Sequence, residues 1–323
     1  MKKKLFCPLL FLIFFIHLGG IQVWGEVDYL PSWVNGATKS AIVQFLESVS
    51  NPTSAQFVEP KDRIAVLDLD GTLMCEYPVN YQRAIAVKRL RELASEHVHL
   101  RSQQPFKAAW EDDGVFYNNK ENHNFVFLKA FEGSTRDEYQ KYVRQFLIKD
   151  DAPYWGRPFQ KLFYQPALEL VRYLEEKKFQ VYVCSTTEEE CIRDLLSEVL
   201  GMKPIQVIGN ELGFKIVSHP SGVDFVLNGE FEAPECRSTN KCAHLVRHTG
   251  KRPIFAFGNS MGDCDFIRYC SGSNYSHFEL IIDHDDAARE LEYHDQALLK
   301  EAEANAWHVI SMRRDFKTVF PKA

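Results

Sequence analysis

The chain has 323 residues, of which 45% are apolar, 13% aromatic and 25% charged. These proportions exclude a disordered, collagenous or repeat-built protein, and the length allows about two ordinary domains, or one large core with an inserted lobe. Thirty-eight Lys and Arg against 44 Asp and Glu leave a net charge of −6, so no global basic field recruits nucleic acid.

Residues 1–25 read as a signal peptide. Lys2, Lys3 and Lys4 precede an apolar run from Leu5 to Ile16, and Val23 and Gly25 suit the small-residue cleavage positions. Pro8, His17 and Gln22 weigh against the rival reading, an uncleaved membrane anchor. The mature chain then starts at Glu26, is exported to a periplasm or secreted, and keeps no stable membrane association. Loss of the three lysines takes the net charge from −6 to −9 and the cysteine count from eight to seven. An oxidising compartment allows disulfides, an odd count leaves one thiol over, and Cys236–Cys242 is the favoured local pair.

Ala41, Ile42, Phe45, Leu46 and Val49 recur at helical spacing, which predicts an amphipathic helix over residues 37–50. Residues 51–62 are a connector. Ile64 to Leu67 then reads as a short buried strand running into Gly71. Residues 77–165 are aromatic-rich, polar and helical in texture. Leu168, Val171 and Leu174 mark a further helix over 166–178, and residues 179–184 a second buried strand. Thr187 and Glu190 form a capping-box pattern opening a helix that ends near Leu200. Residues 253–257, ending at Gly258, and 279–282 are further strands. His284, Asp285 and Asp286 look at first like a metal cluster, but the pattern favours a helix N-cap with acids in the first turn. Short buried strands alternating with helices predict an α/β fold: a Rossmann-like parallel sheet with helices on both faces.

The chemistry-bearing residues fall at strand ends. In Asp68-Leu69-Asp70-Gly71-Thr72 the acids at i and i+2 of an extended segment project to one side. Paired carboxylates favour a bound cation or a shared proton, and open α/β sheets bind ligands at the carboxyl ends of their strands.

These residues resemble the first motif of the haloacid dehalogenase-like hydrolases, D-x-D-[GST]-[TV]. Cys184-Ser185 resembles the second motif, Lys241 the third, and Gly258 to Asp263 the acid-bearing fourth, in family order. Leu73-Met74-Cys75-Glu76 and the stretch from His284 to Glu290 bring the chain near to phosphoserine-phosphatase-like members, especially exported ones. Thr186 to Glu190 departs from the glycines that normally follow the second motif, Met261 stands where Asp is common, and Asn259 is a neutral amide in a ligand position.

The resemblance implies a Mg²⁺-dependent phosphomonoesterase acting on a small phosphorylated metabolite through an aspartyl-phosphate. Asp68 is its expected nucleophile, Asp70 its general acid and base, and Lys241 its charge-neutralising catalytic cation. Gly71, Thr72, Ser185, Thr186 and Lys241 are expected to bind phosphate, and Glu76 to recognise substrate. Asp68, the Asp70 main-chain carbonyl, Asp263 and Asn259 are the expected metal positions. Asp265 reads as a helix-surface acid. More than a hundred residues between Thr72 and Ser185 imply an inserted helical cap, giving core 26–76, cap 77–165 and core 166–323. Two other readings use the same chain: a phosphotransferase or dedicated phosphoserine phosphatase, and a non-catalytic binding protein on this scaffold.

Overall fold

Helix α1 (Ala37–Ser50) turns Ile42, Phe45, Leu46 and Val49 inward, as its apolar spacing requires. The structure, a computed structural model, describes residues 27–322 apart from 79, 150 and 153, so the signal-peptide reading lies outside the described residues. Strand β1 (Ile64–Leu67) follows and is buried throughout. A helical insertion comes next: α2 (Tyr81–Glu96), α3 (Phe106–Glu111), α4 (Gly114–Asn118), α5 (His123–Phe131) and α6 (Arg136–Arg144). Its last part is the small antiparallel pair β2 (Asp151–Ala152) and β3 (Arg157–Pro158).

The chain then alternates. Helix α7 (Gln165–Glu176) leads to β4 (Gln180–Glu188), α8 (Glu189–Leu200) and β5 (Val207–Asn210). An antiparallel hairpin, β6 (Leu212–His219) and β7 (Gly222–Phe231), precedes α9 (Thr239–Thr249), β8 (Phe255–Gly258) and α10 (Cys264–Ser271). Strand β9 (Phe278–Asp283), α11 (Gln296–Asn305), β10 (His308–Ser311) and α12 (Met312–Asp315) complete it.

Six strands form one sheet in the order β10-β9-β8-β1-β4-β5, and every neighbouring pair is parallel. Alternate residues of one strand enter two different cores. Ala65 and Leu67 join Val181, Val183, Phe255 and Phe257 beneath α1 and α7. Val66 joins Cys184, Ala256 and Ile281 beneath Leu245, Phe266 and Leu298 of α9, α10 and α11. With both faces covered, the strands must be apolar at every position, which is why they were legible as continuous runs. Each fully buried aliphatic side chain there contributes about 1.5–3 kcal/mol.

Three expectations change, and one element is new. The capping box at Thr187 does not form: β4 continues to Glu188, whose carboxylate caps α8 by accepting from Glu190 N at 2.9 Å and Cys191 N at 2.7 Å. Residues 284–290 form a turn and no helix; Asp286 engages Arg289, and Asp285 accepts from Ser311 Oγ at 2.5 Å and Arg313 N at 2.9 Å. Cys236 packs its sulfur 3.8 Å from that of Cys184, since its N–H is drawn to Asn210 Oδ1 at 2.6 Å; no described cysteine is bridged. The hairpin β6–β7, not foreseen, leaves the sheet and bonds the insertion, with Gly133 N donating to Leu227 O and Leu227 N to Ser134 O, both at 2.9 Å.

The glutamate run after β4 is an anchor for the same insertion. Arg136 on α6 donates to both oxygens of Glu190, at 3.0 and 2.9 Å. Tyr139 on α6 donates its hydroxyl to Glu188, and α6 packs along α8.

Candidate active site

Beyond β1 the chain turns sharply at the carboxyl edge of the sheet. Leu69 O accepts from the N–H groups of Thr72, Leu73 and Met74 at 3.2, 2.9 and 3.0 Å. Gly71 adopts φ +78°, and a Cβ there would stand 1.9 Å from Asn259 Nδ2 and 2.6 Å from Glu76 Oε1. Only glycine satisfies both demands. Its N–H goes to Met74 O at 2.8 Å and its carbonyl accepts from His284 Nε2 at 2.8 Å. Gly71 is therefore a conformational residue and does not line the cavity. Thr72, fully buried, is likewise behind the site: its hydroxyl lies 3.3 Å from Asp68 Oδ2 and 3.2 Å from Asn259 Oδ1.

Asp68 is 4% exposed and its Oδ1 accepts from Lys241 Nζ at 2.6 Å. The same ammonium donates to Asp263 Oδ1 at 2.7 Å. Asp263 Oδ2 accepts from the N–H groups of Asn259 and Ser260 at 3.1 and 3.0 Å and from Ser260 Oγ at 3.1 Å. Burial raises the Asp68 pKa well above the usual carboxylate range, and the like charges of Asp263 and Asp70 add to it against the pull of Lys241. For Lys241, burial acts to lower the pKa, but Asp263 and Asp68 outweigh it and hold the ammonium charged.

Asp70 faces a different set. Its Oδ2 accepts from Thr187 Oγ1 at 2.9 Å, Ser185 Oγ at 3.0 Å and Tyr81 OH at 3.4 Å. Its Oδ1 is buried with no hydrogen-bond partner among the described residues. Burial raises its pKa despite those three donors. Ser185 also accepts from Thr187 N at 3.0 Å. Thr186 points outward and lines the cavity, while its carbonyl takes Asn210 Nδ2 at 2.7 Å.

On the other side, Glu76 Oε1 accepts from Tyr293 OH at 2.6 Å and Asn259 Nδ2 at 3.0 Å. Burial pushes its carboxyl up to about 7. The amide oxygen of Asn259 thus points at Thr72 and its nitrogen at Glu76. His284, placed by sequence in a cap, is instead buried between Glu290 Oε2 at 2.9 Å and the Gly71 carbonyl, and Tyr164 donates to Glu290. Asp265 stays on the surface of α10, accepting from Thr239 Oγ1 at 2.6 Å.

Asp68, Asp70, Glu76, Ser185, Thr186, Lys241 and Asn259 converge on one cavity of about 260 Å³. Its outer wall comes from the insertion: Asn80, Gln82 and Arg83 at the start of α2, and His123, Asn124 and Phe127 of α5. None of these was foreseen, and neither were Tyr81, Thr187 and Tyr293. Thr187 alone carried a signal, as a hydroxyl two residues beyond Ser185 on one strand and so on the same face.

The donors suit a hard cation. Beside Lys241, the acceptors around Asp68 are oxygens, three buried or half-buried acids face that one lysine, and Asp70 Oδ1 lacks a partner among the described residues. Among the described residues no three His, Cys, Asp or Glu side chains make a closed metal cluster. A small divalent cation that keeps several waters needs only one or two carboxylates.

The family model described as haloacid dehalogenase-like hydrolase matches residues 65–268. Among curated proteins nothing matches. A protein of unknown function from Bordetella pertussis Tohama I is similar in structure, with TM-score 0.51 and 15% identity over 78% of this chain and 99% of that one. A conserved protein of unknown function from Anaerococcus prevotii gives TM-score 0.54 and 12% identity over 84% and 91%. A phosphoserine phosphohydrolase-like protein from Francisella tularensis aligns at TM-score 0.39 and 16% identity, over 78% and 95%.

Proposed function

The chain belongs to the haloacid dehalogenase-like hydrolase family, and we propose that within it the protein is a Mg²⁺-dependent phosphomonoesterase acting on small phosphate monoesters. The observation that carries this reading is the pairing of Asp68 with Asp70 in one cavity, the first bound by Lys241 and the second by hydroxyl donors. Two carboxylates in unlike surroundings take unlike roles.

Asp68 attacks phosphorus, and the bond to the ester oxygen breaks as the aspartyl-phosphate forms. Asp70, whose raised pKa favours its protonated form, gives its proton to the leaving oxygen. Water then attacks phosphorus, Asp70 takes the proton back, and the Asp68 acyl-phosphate bond breaks to release inorganic phosphate. Lys241 donates to Asp68, favouring its carboxylate form against the effect of burial, and offsets charge on the phosphoryl oxygens, while Ser185 and Thr187 orient Asp70. Asp68, the Asp70 main-chain carbonyl and Asp263 would hold Mg²⁺, with Asn259 beside them. When bound it supplies the positive charge that Lys241 alone does not, neutralising the phosphoryl group.

The helices of residues 77–165 serve as the cap over this cavity, and the basic start and apolar run of residues 1–25 support action after export. Hydrolysis of para-nitrophenyl phosphate, with Mg²⁺ and with chelator, tests the assignment. Metal-dependent turnover is expected; metal-independent turnover, or full activity in Asp68→Asn, overturns it.

A further inference from the structure

Arg83 lines two cavities. One is the catalytic cavity of about 260 Å³; the other, about 740 Å³, lies within the insertion and is walled by Val87, Trp110, Tyr117 and Phe146. A second seam joins them: His123 borders the first cavity and Asn118 the second, and the two share a hydrogen bond through the Asn118 main chain. The Nε2 of His123 is buried and has no partner among the described residues.

Charge distribution separates the two spaces. In the larger cavity Lys88 pairs with Glu92 at 2.6 Å and Arg91 with Asp112 at 2.8 Å, so its charges are mutually neutralised. Arg83 is half-buried, and among the described residues no carboxylate pairs with it; its titratable neighbours include Tyr117, Tyr77 and His123. A desolvated guanidinium without an acid is costly unless a ligand group meets it. A guanidinium can stack its planar face on a ligand ring and donate from its edge to an acceptor oxygen.

Volume gives the same answer. Sites that bury a whole small molecule run to about 300–1,000 Å³. The catalytic cavity alone falls below that range, and the two together span it. Resting on the phosphomonoesterase reading, we propose that the substrate is elongated: its phosphate sits at Asp68, its middle passes Arg83, and an uncharged aromatic or apolar end fills the second cavity. The occupant of that cavity is thus the alcohol portion of the ester. Arg83 on the wall shared by the two cavities and the absence of an unpaired charge beyond it single out this occupant.

The test fills the second cavity without touching the first. Val87 is a half-buried residue of α2 that lines only the larger cavity, so Val87→Trp is the variant. The probes are para-biphenyl phosphate, β-glycerol phosphate and the phosphate-free para-phenylphenol, with thermal melting as the check on folding. Calorimetry is expected to show para-phenylphenol binding to the wild type and not to Val87→Trp. The variant is expected to lose at least about tenfold in kcat/KM for para-biphenyl phosphate while β-glycerol phosphate is turned over unchanged. No binding of para-phenylphenol by the wild type, or equal binding by a folded variant, overturns the proposal. If binding follows the expected pattern but neither ester is hydrolysed, the cavity assignment stands and the phosphatase reading alone falls.

Discussion

Thr187 Oγ1 donates to Asp70 Oδ2 at 2.9 Å, although its place in the sequence marks it as a helix cap. On the proposed mechanism the residue acts on the acid of the reaction, and its loss has a defined sign. Thr187→Val removes a donor that stabilises the Asp70 carboxylate, so the already raised pKa of Asp70 rises further. The basic limb of the kcat/KM profile, where the acid form is lost, moves to higher pH. The rate at the optimum falls about 10- to 150-fold, as one hydrogen bond to a charged group is worth about 1.5–3 kcal/mol. An unshifted basic limb would show that Asp70 is not the acid.

Asp68→Asn is expected to cost at least about 10³ in kcat, since the nucleophile is gone. The same change removes a carboxylate whose pKa is raised in the folded chain by burial first and then by the like charges of Asp263 and Asp70. Thermal melting in the absence of metal should therefore show Asp68→Asn more stable than the wild type, a trade of stability against function. A lower melting temperature would mean that the Lys241 ion pair outweighs the repulsion.

Lys241→Met leaves Asp68 and Asp263 buried without their shared cation. Breaking a buried pair in this way costs about 3–5 kcal/mol at neutral pH. Denaturant unfolding at pH 7 and pH 4 checks the cause: protonating the acids should restore part of the loss.

Mg²⁺ should raise the melting temperature of the wild type in proportion to the logarithm of its concentration, because it binds the folded site. Asp263→Asn should flatten that response. A response equal in wild type and variant removes Asp263 from the metal set.

Glu188 gives a stability prediction away from the chemistry. Burial pushes its carboxyl from 4.5 up to about 8, against the opposing hydrogen bonds of Tyr139 and the α8 amides. The folded chain keeps a proton that the unfolded chain releases, so stability is greatest below about 4.5 and falls as pH rises to about 8. The slope reaches at most about 1.4 kcal/mol per pH unit. Glu188→Gln lacks this titration, so the difference in unfolding free energy between wild type and variant should carry that slope across this window.

The sheet was readable because burial on both faces leaves no choice of residue type, as in β1, β4 and β8. Strands β5 and β10 escaped notice because they are edge strands with only two consecutive apolar residues each: Gly209 and Asn210 follow Val207 and Ile208, and His308 and Ser311 flank Val309 and Ile310. The β6–β7 hairpin escaped for the opposite reason. Its apolar residues Ile216, Val217, Val223 and Phe225 face outward, so no buried face imposes a period; only the Pro220-Ser221-Gly222 turn between them carried a signal. In the site, Asp68, Asp70, Ser185 and Lys241 were legible because strand ends and motif spacing fix them. Arg83, His123, Tyr81 and Tyr293 were not, since only tertiary packing brings them to the same cavity.

The lining of the larger cavity comes wholly from residues 78–146, one unbroken stretch of chain. Asp68, Ser185, Lys241 and Asp263, by contrast, belong to the carboxyl edge of the sheet. On the proposed reading, what the protein accepts and what it does to it are written in separate passages of the polypeptide. Exchanging the first passage, with the Arg136 and Tyr139 contacts to Glu190 and Glu188 retained, would graft a new preference onto unaltered chemistry.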